Sequence, residues 1–169
     1  MRSEKVVRLF SVPVLTVGMQ PDETLVFPYE NILIPTDGSP AARHAASHVV
    51  EFAVALDATV HVLSVVDDAT LGLDVRSTGS GKDIEEAATD AVETVVSEAE
   101  THGVTDTVRH IEHGTPIEEI LDSLESNDIH AVGMGTTGRR GKDRILLGSV
   151  AEKTVRSAPV PVLTIAEPE

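Results

Sequence analysis

A glycine-rich stretch near the C-terminus has the residue types and spacing for binding chemistry. Two residues separate Gly135 from Gly138, and nine more separate Gly138 from Gly148-Ser149, where a helix is predicted to begin. Backbone N–H groups beside a helix N-terminus, with no Cβ to obstruct them, suit phosphate oxygens. Nearby basic residues add positive charge: Arg139, Arg140 and Lys142. The stretch predicts a phosphate-binding loop, although glycines can also serve only to turn the chain.

Two nucleotide motifs in the same region fail on their context. Gly133 to Gly138 reads G-x-G-x-x-G, but no apolar helix follows it directly, and too little chain remains for a dinucleotide fold. The stretches GSGKD and RRGKD resemble the end of a Walker A loop, but Asp83 or Asp143 stands where Ser or Thr would bind magnesium. We therefore expect neither NAD binding nor a P-loop.

Composition limits the partners of the chain. Its net charge is −15, from 28 acidic and 13 basic residues, and it has three Phe, one Tyr and no Trp. Repulsion and the scarcity of rings for base stacking argue against nucleic acid. The acid excess with few lysines resembles the surfaces of proteins from salt-loving organisms, where salt screens self-repulsion.

Other classes of site and location find little support in the sequence. The chain has no cysteine, which leaves its compartment open. A soluble cytoplasmic protein is expected because no apolar run is long enough to cross a membrane and the N-terminal stretch lacks an uninterrupted apolar core of signal-peptide type. His44 and His48 have helical i, i+4 spacing, but no third metal ligand accompanies them. His61 is expected to be packed and His110 to be solvated, and no metal site is predicted.

Strand-like and helical segments alternate from Glu30 onward, which is typical of a parallel sheet with helices on both faces. The predicted strands are Ile32–Pro35, Val60–Val66, Val104–Ile111, Ile129–Met134 and Val160–Ile165. The predicted helices begin at Ser39-Pro40, at Asp83 as a cap, at Thr115-Pro116 and at Gly148. Residues 67–82 form a long polar connection that could act as a lid.

This alternation predicts an α/β fold, an open doubly wound five-stranded parallel sheet in the order 3-2-1-4-5. Strands one and four are then neighbours. The segments that follow them, Thr36-Asp37-Gly38 and Gly135 onward, should meet over one crevice, where such folds bind ligands.

Several motifs together resemble the universal stress protein family, in its ATP-binding branch. They are G-x2-G-x9-G-S, ILIPTDGS, HGTPIEEI and GSVAEKTVRSAPVPVLTI, and the resemblance covers Glu30 to about Glu167. It implies ATP, or ADP or AMP, held between the ends of strands one and four, with Mg²⁺ or Mn²⁺ on the phosphates. It also implies a homodimer through the edge of strand five.

The resemblance assigns nucleotide contacts to eleven residues: Pro35, Thr36, Asp37, Val65, Met134, Gly135, Gly138, Arg139, Gly148, Ser149 and Val150. Asp37 would hold adenosine, and Val65 would offer its backbone to adenine. The phosphates would lie on the backbone amides of Gly138, Arg139, Gly148, Ser149 and Val150, and the Ser149 hydroxyl would add a hydrogen bond. Other interpretations remain open, since Asp37 could instead cap the first helix, in competition with Ser39, and Val65 and Met134 could be core residues only.

Two functions follow from this site. The first is a stress-response regulatory protein that acts as a nucleotide-dependent switch or sensor. The second is a slow ATP hydrolase or a phosphate-transferring enzyme. The residues favour the first, because hydrogen-bond donors for phosphate oxygens are evident and no clear general base or nucleophile lies beside them. The only candidates for a general base or nucleophile are Asp143 and the acidic residues of the 67–82 segment.

The chain begins with a copy of its own end. Glu4–Val17 and Glu152–Ile165 agree at nine of fourteen positions without gaps. We interpret residues 1–29 as an extension left from a tandem arrangement, and residues 30–169 as the nucleotide-binding domain. The strand Val12–Val17 is expected to pair antiparallel with the edge of strand five, in its own chain or in a partner. A disordered leader is the alternative.

Overall fold

A computed structural model describes residues 14–16, 27–67, 80–136 and 147–166, without the side chains of residues 14–16, 80 and 81. The strands are β1 (Val14–Thr16), β2 (Asn31–Pro35), β3 (Thr59–Asp67), β4 (Thr107–Gly114), β5 (Ala131–Gly135) and β6 (Val162–Ile165). The helices are α1 (Pro40–Leu56), α2 (Ser80–Thr101), α3 (Pro116–Ser126) and α4 (Ser149–Ser157).

The strands form one sheet in the order β1-β6-β5-β2-β3-β4. Strands β2 to β6 correspond to the predicted strands one to five, and they are parallel. Their order β4-β3-β2-β5-β6 confirms the predicted order 3-2-1-4-5. β1 pairs antiparallel with β6 and lies at the edge, in its own chain. The sheet therefore contains the added strand that the duplicated sequence predicts.

Two apolar cores lie on opposite faces of the sheet. Ile32 and Ile34 belong to the core that also contains residues of α1 and α2, whereas Leu33 belongs to the core with residues of α3 and α4. This division follows from the alternation of side chains along a strand. Helix α1 buries a stripe of alanines and a valine against the sheet: Ala42, Ala45, Ala46, Val49 and Ala53.

Helix α1 packs closely on β5 at Gly133. A Cβ at this position would collide with both γ-methyl groups of Val49. The first glycine of the G-x-G-x-x-G pattern is therefore explained by helix packing, because only a residue without a side chain fits beneath α1.

Several predicted boundaries differ from the structure, and the predicted starts of the second helix and the third strand are wrong by at least three residues. Helix α2 begins at Ser80, so Asp83 lies within its first turn and is not its cap. Strand β4 begins at Thr107 instead of Val104, because Val104 follows the turn that ends α2 at Thr101, and its N–H donates to the Ala99 carbonyl of that helix at 3.0 Å. Val104 is 7% exposed and lies in the first core, so its apolar character reflects burial of the connection.

Within the described ranges, no helix is both long enough and apolar enough to span a bilayer.

Candidate functional site

The turn after β2 is held by three side-chain acceptors. Gly38 N–H donates to Thr36 Oγ1 at 3.2 Å, Ser39 N–H donates to Asp37 Oδ1 at 3.0 Å, and Ala42 N–H donates to Ser39 Oγ at 3.2 Å. Ser39 is thus the N-cap of α1, and the alternative that Asp37 caps the helix is wrong. Gly38 has φ +72°, a value that favours glycine. The carboxylate of Asp37 helps to fix this turn at the end of the strand.

The beginning of α4 is tied to the end of β5. Gly148 N–H donates to the Thr136 carbonyl at 2.6 Å, and Thr136 N–H donates to the Ile165 carbonyl at 2.9 Å. The chain therefore leaves β5 at residue 136 and returns to the same point at residue 148. Because β5 is a neighbour of β2, the N-terminus of α4 lies at the same end of the sheet as the Asp37 turn.

Gly148 is the N-cap residue of α4, with φ −59° and ψ 156°. These angles are open to any amino acid, so the backbone does not require glycine here. A Ser, Thr, Asp or Asn side chain would ordinarily accept a hydrogen bond from the first helical amides, and glycine cannot do so. The first turn of α4, with Ser149 exposed and Val150 half-buried, therefore begins without a side-chain cap.

Val65 lies on the other side of β2. Thr36 N–H donates to the Leu63 carbonyl at 2.8 Å, and β3 then continues to Asp67 beside β4. The carboxyl end of β3 therefore extends beyond the end of β2 and borders one side of the crevice. The side chain of Val65 packs against the second core, which leaves its backbone as the group that could contact a ligand.

The remaining predicted contacts divide between the core and the crevice. Met134 is 6% exposed, and its side chain belongs to the second core. Thr36 is also buried, whereas Pro35 and Gly135 are half-buried. The structure thus gathers the described candidates at the carboxyl ends of β2, β3 and β5 and at the start of α4. Gly138 and Arg139, with Arg140 and Lys142, lie outside the described residues.

Two residues of this region were missed by sequence reasoning. Arg43 Nη1 donates to the Gly38 carbonyl at 2.9 Å and so holds the turn from the first turn of α1. Thr136 supplies the carbonyl that fixes Gly148. The position of Arg43, four residues after Ser39, could have suggested its role, whereas the bond of Thr136 depends on a contact across the intervening loop.

Four of the described histidines form two ring pairs. The rings of His44 and His48 have centroids 4.7 Å apart, but the described segments contain no group of three or more His, Cys, Asp or Glu able to hold a metal ion. His61 Nδ1 lies 3.1 Å from His110 Nε2, with the two rings stacked. His110 is half-buried and therefore less solvated than expected, because its ring stacks on that of the buried His61.

Burial governs the protonation of this second pair. Burial, and then the neighbouring His110, lower the pKa of His61 to about 4. Burial also lowers the pKa of His110, which Glu112 opposes. The lowered pKa values favour the neutral form of both rings.

Comparison with known proteins gives consistent results. The universal stress protein family model matches residues 28–166. Universal stress protein MJ0531 of Methanocaldococcus jannaschii is 37% identical over 144 residues, which make up 83% of this chain and 84% of that protein. The solved structure of hypothetical protein MJ0577 is 30% identical with a TM-score of 0.72, over 83% of this chain and 98% of that one. A universal stress protein in complex with cAMP is 18% identical with a TM-score of 0.63, over 81% of this chain and 97% of that one, a likeness of fold alone.

Proposed function

Since the chain belongs to the universal stress protein family, we propose that it binds an adenine nucleotide, ATP in the first instance, between the ends of β2 and β5, and that it acts as a nucleotide-dependent regulatory switch. One observation carries the proposal most directly. Helix α4 begins at a glycine that its backbone angles do not require, so its first amides lack a side-chain cap at a crevice where folds of this class bind ligands.

The phosphates would lie at the start of α4. Backbone amides at a helix N-terminus point outward and carry partial positive charge, so they suit an anion. The glycine at 148 leaves room for close approach, and the exposed hydroxyl of Ser149 could add a hydrogen bond. In this proposal Gly138 and Arg139 complete the phosphate site from the loop that connects Thr136 to Leu147.

The adenosine would lie towards the Asp37 turn and the projecting end of β3. The hydrogen bonds of Thr36 and Asp37 to the turn already fix its shape before a ligand arrives, which lowers the entropy cost of binding. The relative in complex with cAMP provides an example of this fold with an adenine nucleotide. Backbone groups of Val65 and Gly135 would contribute the remaining contacts.

A divalent cation, Mg²⁺ or Mn²⁺, would be held mainly by the phosphates. Among the residues that the structure describes, no cluster of three potential ligands could bind a metal without them. Bound to ATP, the cation would neutralise phosphate charge next to a protein whose net charge is −15. We therefore expect nucleotide and metal to bind together.

The switch would act through the long polar connection at residues 67–82 and the glycine-rich segment at residues 135–147. Nucleotide contacts to these segments would change the surface that the protein presents to a partner. The alternative is slow ATP hydrolysis. It needs a general base beside the terminal phosphate, and Asp143, the acid of the glycine loop, lies outside the described residues.

Calorimetric titration of ATP with Mg²⁺, in high salt, tests the proposal in wild-type protein and in variants at Gly148. Gly148→Asp should cap α4 and raise the free energy of unfolding by a few tenths of a kcal/mol. Its carboxylate would accept hydrogen bonds from the first amides of α4, which phosphate would otherwise use, and would also repel the phosphate. We expect ATP affinity to fall at least tenfold. Gly148→Asn, a cap of similar strength without the charge, should weaken binding less.

Asp37→Ala tests the other half of the site. Losing one charged hydrogen bond costs about 1.5–3 kcal/mol, or roughly 10- to 150-fold in affinity. Asp37→Asn is the matched control, because its amide oxygen can still accept from Ser39 N–H and keep the turn. Wild-type affinity in both Gly148→Asp and Asp37→Ala would place the nucleotide elsewhere. The rate at which ADP is produced from ATP separates the two functions. If ADP is produced no faster than bound nucleotide exchanges, the switch is favoured over the hydrolase.

A further inference from the structure

The register between β1 and β6 has an internal symmetry. The two strands pair antiparallel, with Val14 opposite Thr164, Leu15 opposite Leu163, and Thr16 opposite Val162. Leucine thus faces leucine at the centre, with a valine–threonine pair on each side. Exchanging the two strands would leave this pattern unchanged.

The symmetry has its origin in the duplicated sequence. Val12–Thr16 is identical to Val160–Thr164, so Leu15 is the counterpart of Leu163. In the folded chain each of these leucines faces its own counterpart. β1 therefore pairs with β6 in the register that a second copy of β6 would adopt.

Without β1, the outer side of β6 would be the edge of the sheet. Such an edge presents unpaired N–H and C=O groups and invites pairing with another strand. A self-complementary register is the condition for an isologous contact, in which two identical strands meet about a two-fold axis. β6 meets this condition at Leu163.

We propose that β1 is an intramolecular substitute for the β6 strand of a second copy of this chain. It closes the β6 edge in the intact protein. When β1 is displaced or removed, two chains pair through their β6 strands about Leu163 and form a symmetric dimer. The homodimer predicted from the family resemblance is thus controlled by the first residues of the chain, independently of nucleotide binding.

Tethering explains why β1 prevails in the intact chain. Only the stretch from Thr16 to Asn31 separates the end of β1 from the start of β2. Covalent attachment over so few residues gives an effective concentration on the order of millimolar, far above a micromolar concentration of second copies. β1 is also short, with three paired residues, so its removal leaves the parallel sheet and both cores in place.

Deleting residues 1–20 and measuring mass in solution tests the proposal. We expect the intact chain to be monomeric, and the truncated chain to form dimers as its concentration rises. The chain has no cysteine, which permits cross-linking without background. Directly opposite residues of an antiparallel pair have Cα atoms about 4.5–5.5 Å apart, within the range of a disulfide.

Leu163→Cys in the truncated chain should therefore form a disulfide-linked dimer on mild oxidation, whereas Leu163→Cys in the intact chain should not. Val108→Cys is the matched control. Val108 is 37% exposed on β4, at the opposite edge of the sheet, and should give no specific dimer in either form. A truncated chain that stays monomeric, or that cross-links as readily through Val108→Cys, would overturn the proposal.

A full-length variant decides the matter if the truncated chain does not fold. Leu15→Cys with Leu163→Cys should close an intramolecular disulfide and leave the chain monomeric, because the two positions face each other. Intermolecular cross-links in this variant, or in intact Leu163→Cys, would mean that β1 does not close the edge, and the proposal would fail.

Discussion

Acidification should destabilise the protein through His61. In the folded state burial and His110 lower the pKa of His61 to about 4, whereas an unfolded histidine has the ordinary value of 6.5. Between these values the unfolded chain binds a proton that the folded chain does not. The free energy of unfolding is therefore highest above pH 6.5 and falls as the pH is lowered towards 4.

The size of the effect follows from this pKa difference. Each pKa unit corresponds to about 1.4 kcal/mol, so His61 alone should cost the fold about 2 kcal/mol at pH 5 relative to pH 7. The lowered pKa of His110 acts in the same direction.

Urea denaturation at pH 7, 6 and 5, at constant salt, measures the effect. His61→Gln removes the titrating group but keeps a polar side chain beside His110, so its stability should depend less on pH than that of wild type. His48→Gln is the control, because His48 is exposed on α1. Equal pH dependence in wild type and His61→Gln would refute the reasoning.

Three further predictions concern stability. Gly133→Ala should cost about 1–3 kcal/mol by overpacking, and a Val49→Ala background should reduce that cost in urea denaturation; an equal cost in both backgrounds would contradict the packing argument. Ser39→Ala should cost about 1 kcal/mol through loss of the α1 cap, whereas Ser39→Asp should retain wild-type stability, and a melting temperature unchanged by the alanine would count against the cap. Added NaCl should raise the melting temperature because it screens a net charge of −15. A melting temperature that stays flat or falls between about 0.1 and about 1 M NaCl, where the Debye length shortens from about 10 to about 3 Å, would contradict the expected salt adaptation of the acidic surface.

The alternation of segments was sufficient to predict the sheet. Apolar strands separated by amphipathic helices leave few topologies once crossovers are right-handed, so the order of β2 to β6 followed from the pattern. The start of β4 did not, because Val104 is apolar for burial at a helix end and not for strand pairing. Periodicity cannot distinguish these two reasons.

The candidate site was predictable in outline and not in detail. The glycines and Asp37 indicated the crevice because the ends of β2 and β5 had to meet there. Which of Asp37 and Ser39 caps α1 required the hydrogen bonds themselves, since both types suit a cap. The contact between His61 and His110 depends on the register of β3 against β4, which the sequence does not specify.

Amide chemical-shift mapping during an ATP titration with Mg²⁺ tests the central claim most directly. Among the residues that the structure describes, the amide chemical shifts should change most at residues 36–38, 135–136 and 148–150. These residues lie where β2, β5 and α4 converge. Amides of β4, at the far edge of the sheet, should change little. Saturable binding whose changes centre on β4 or α2, with residues 148–150 unaffected, would contradict a nucleotide site at the crevice.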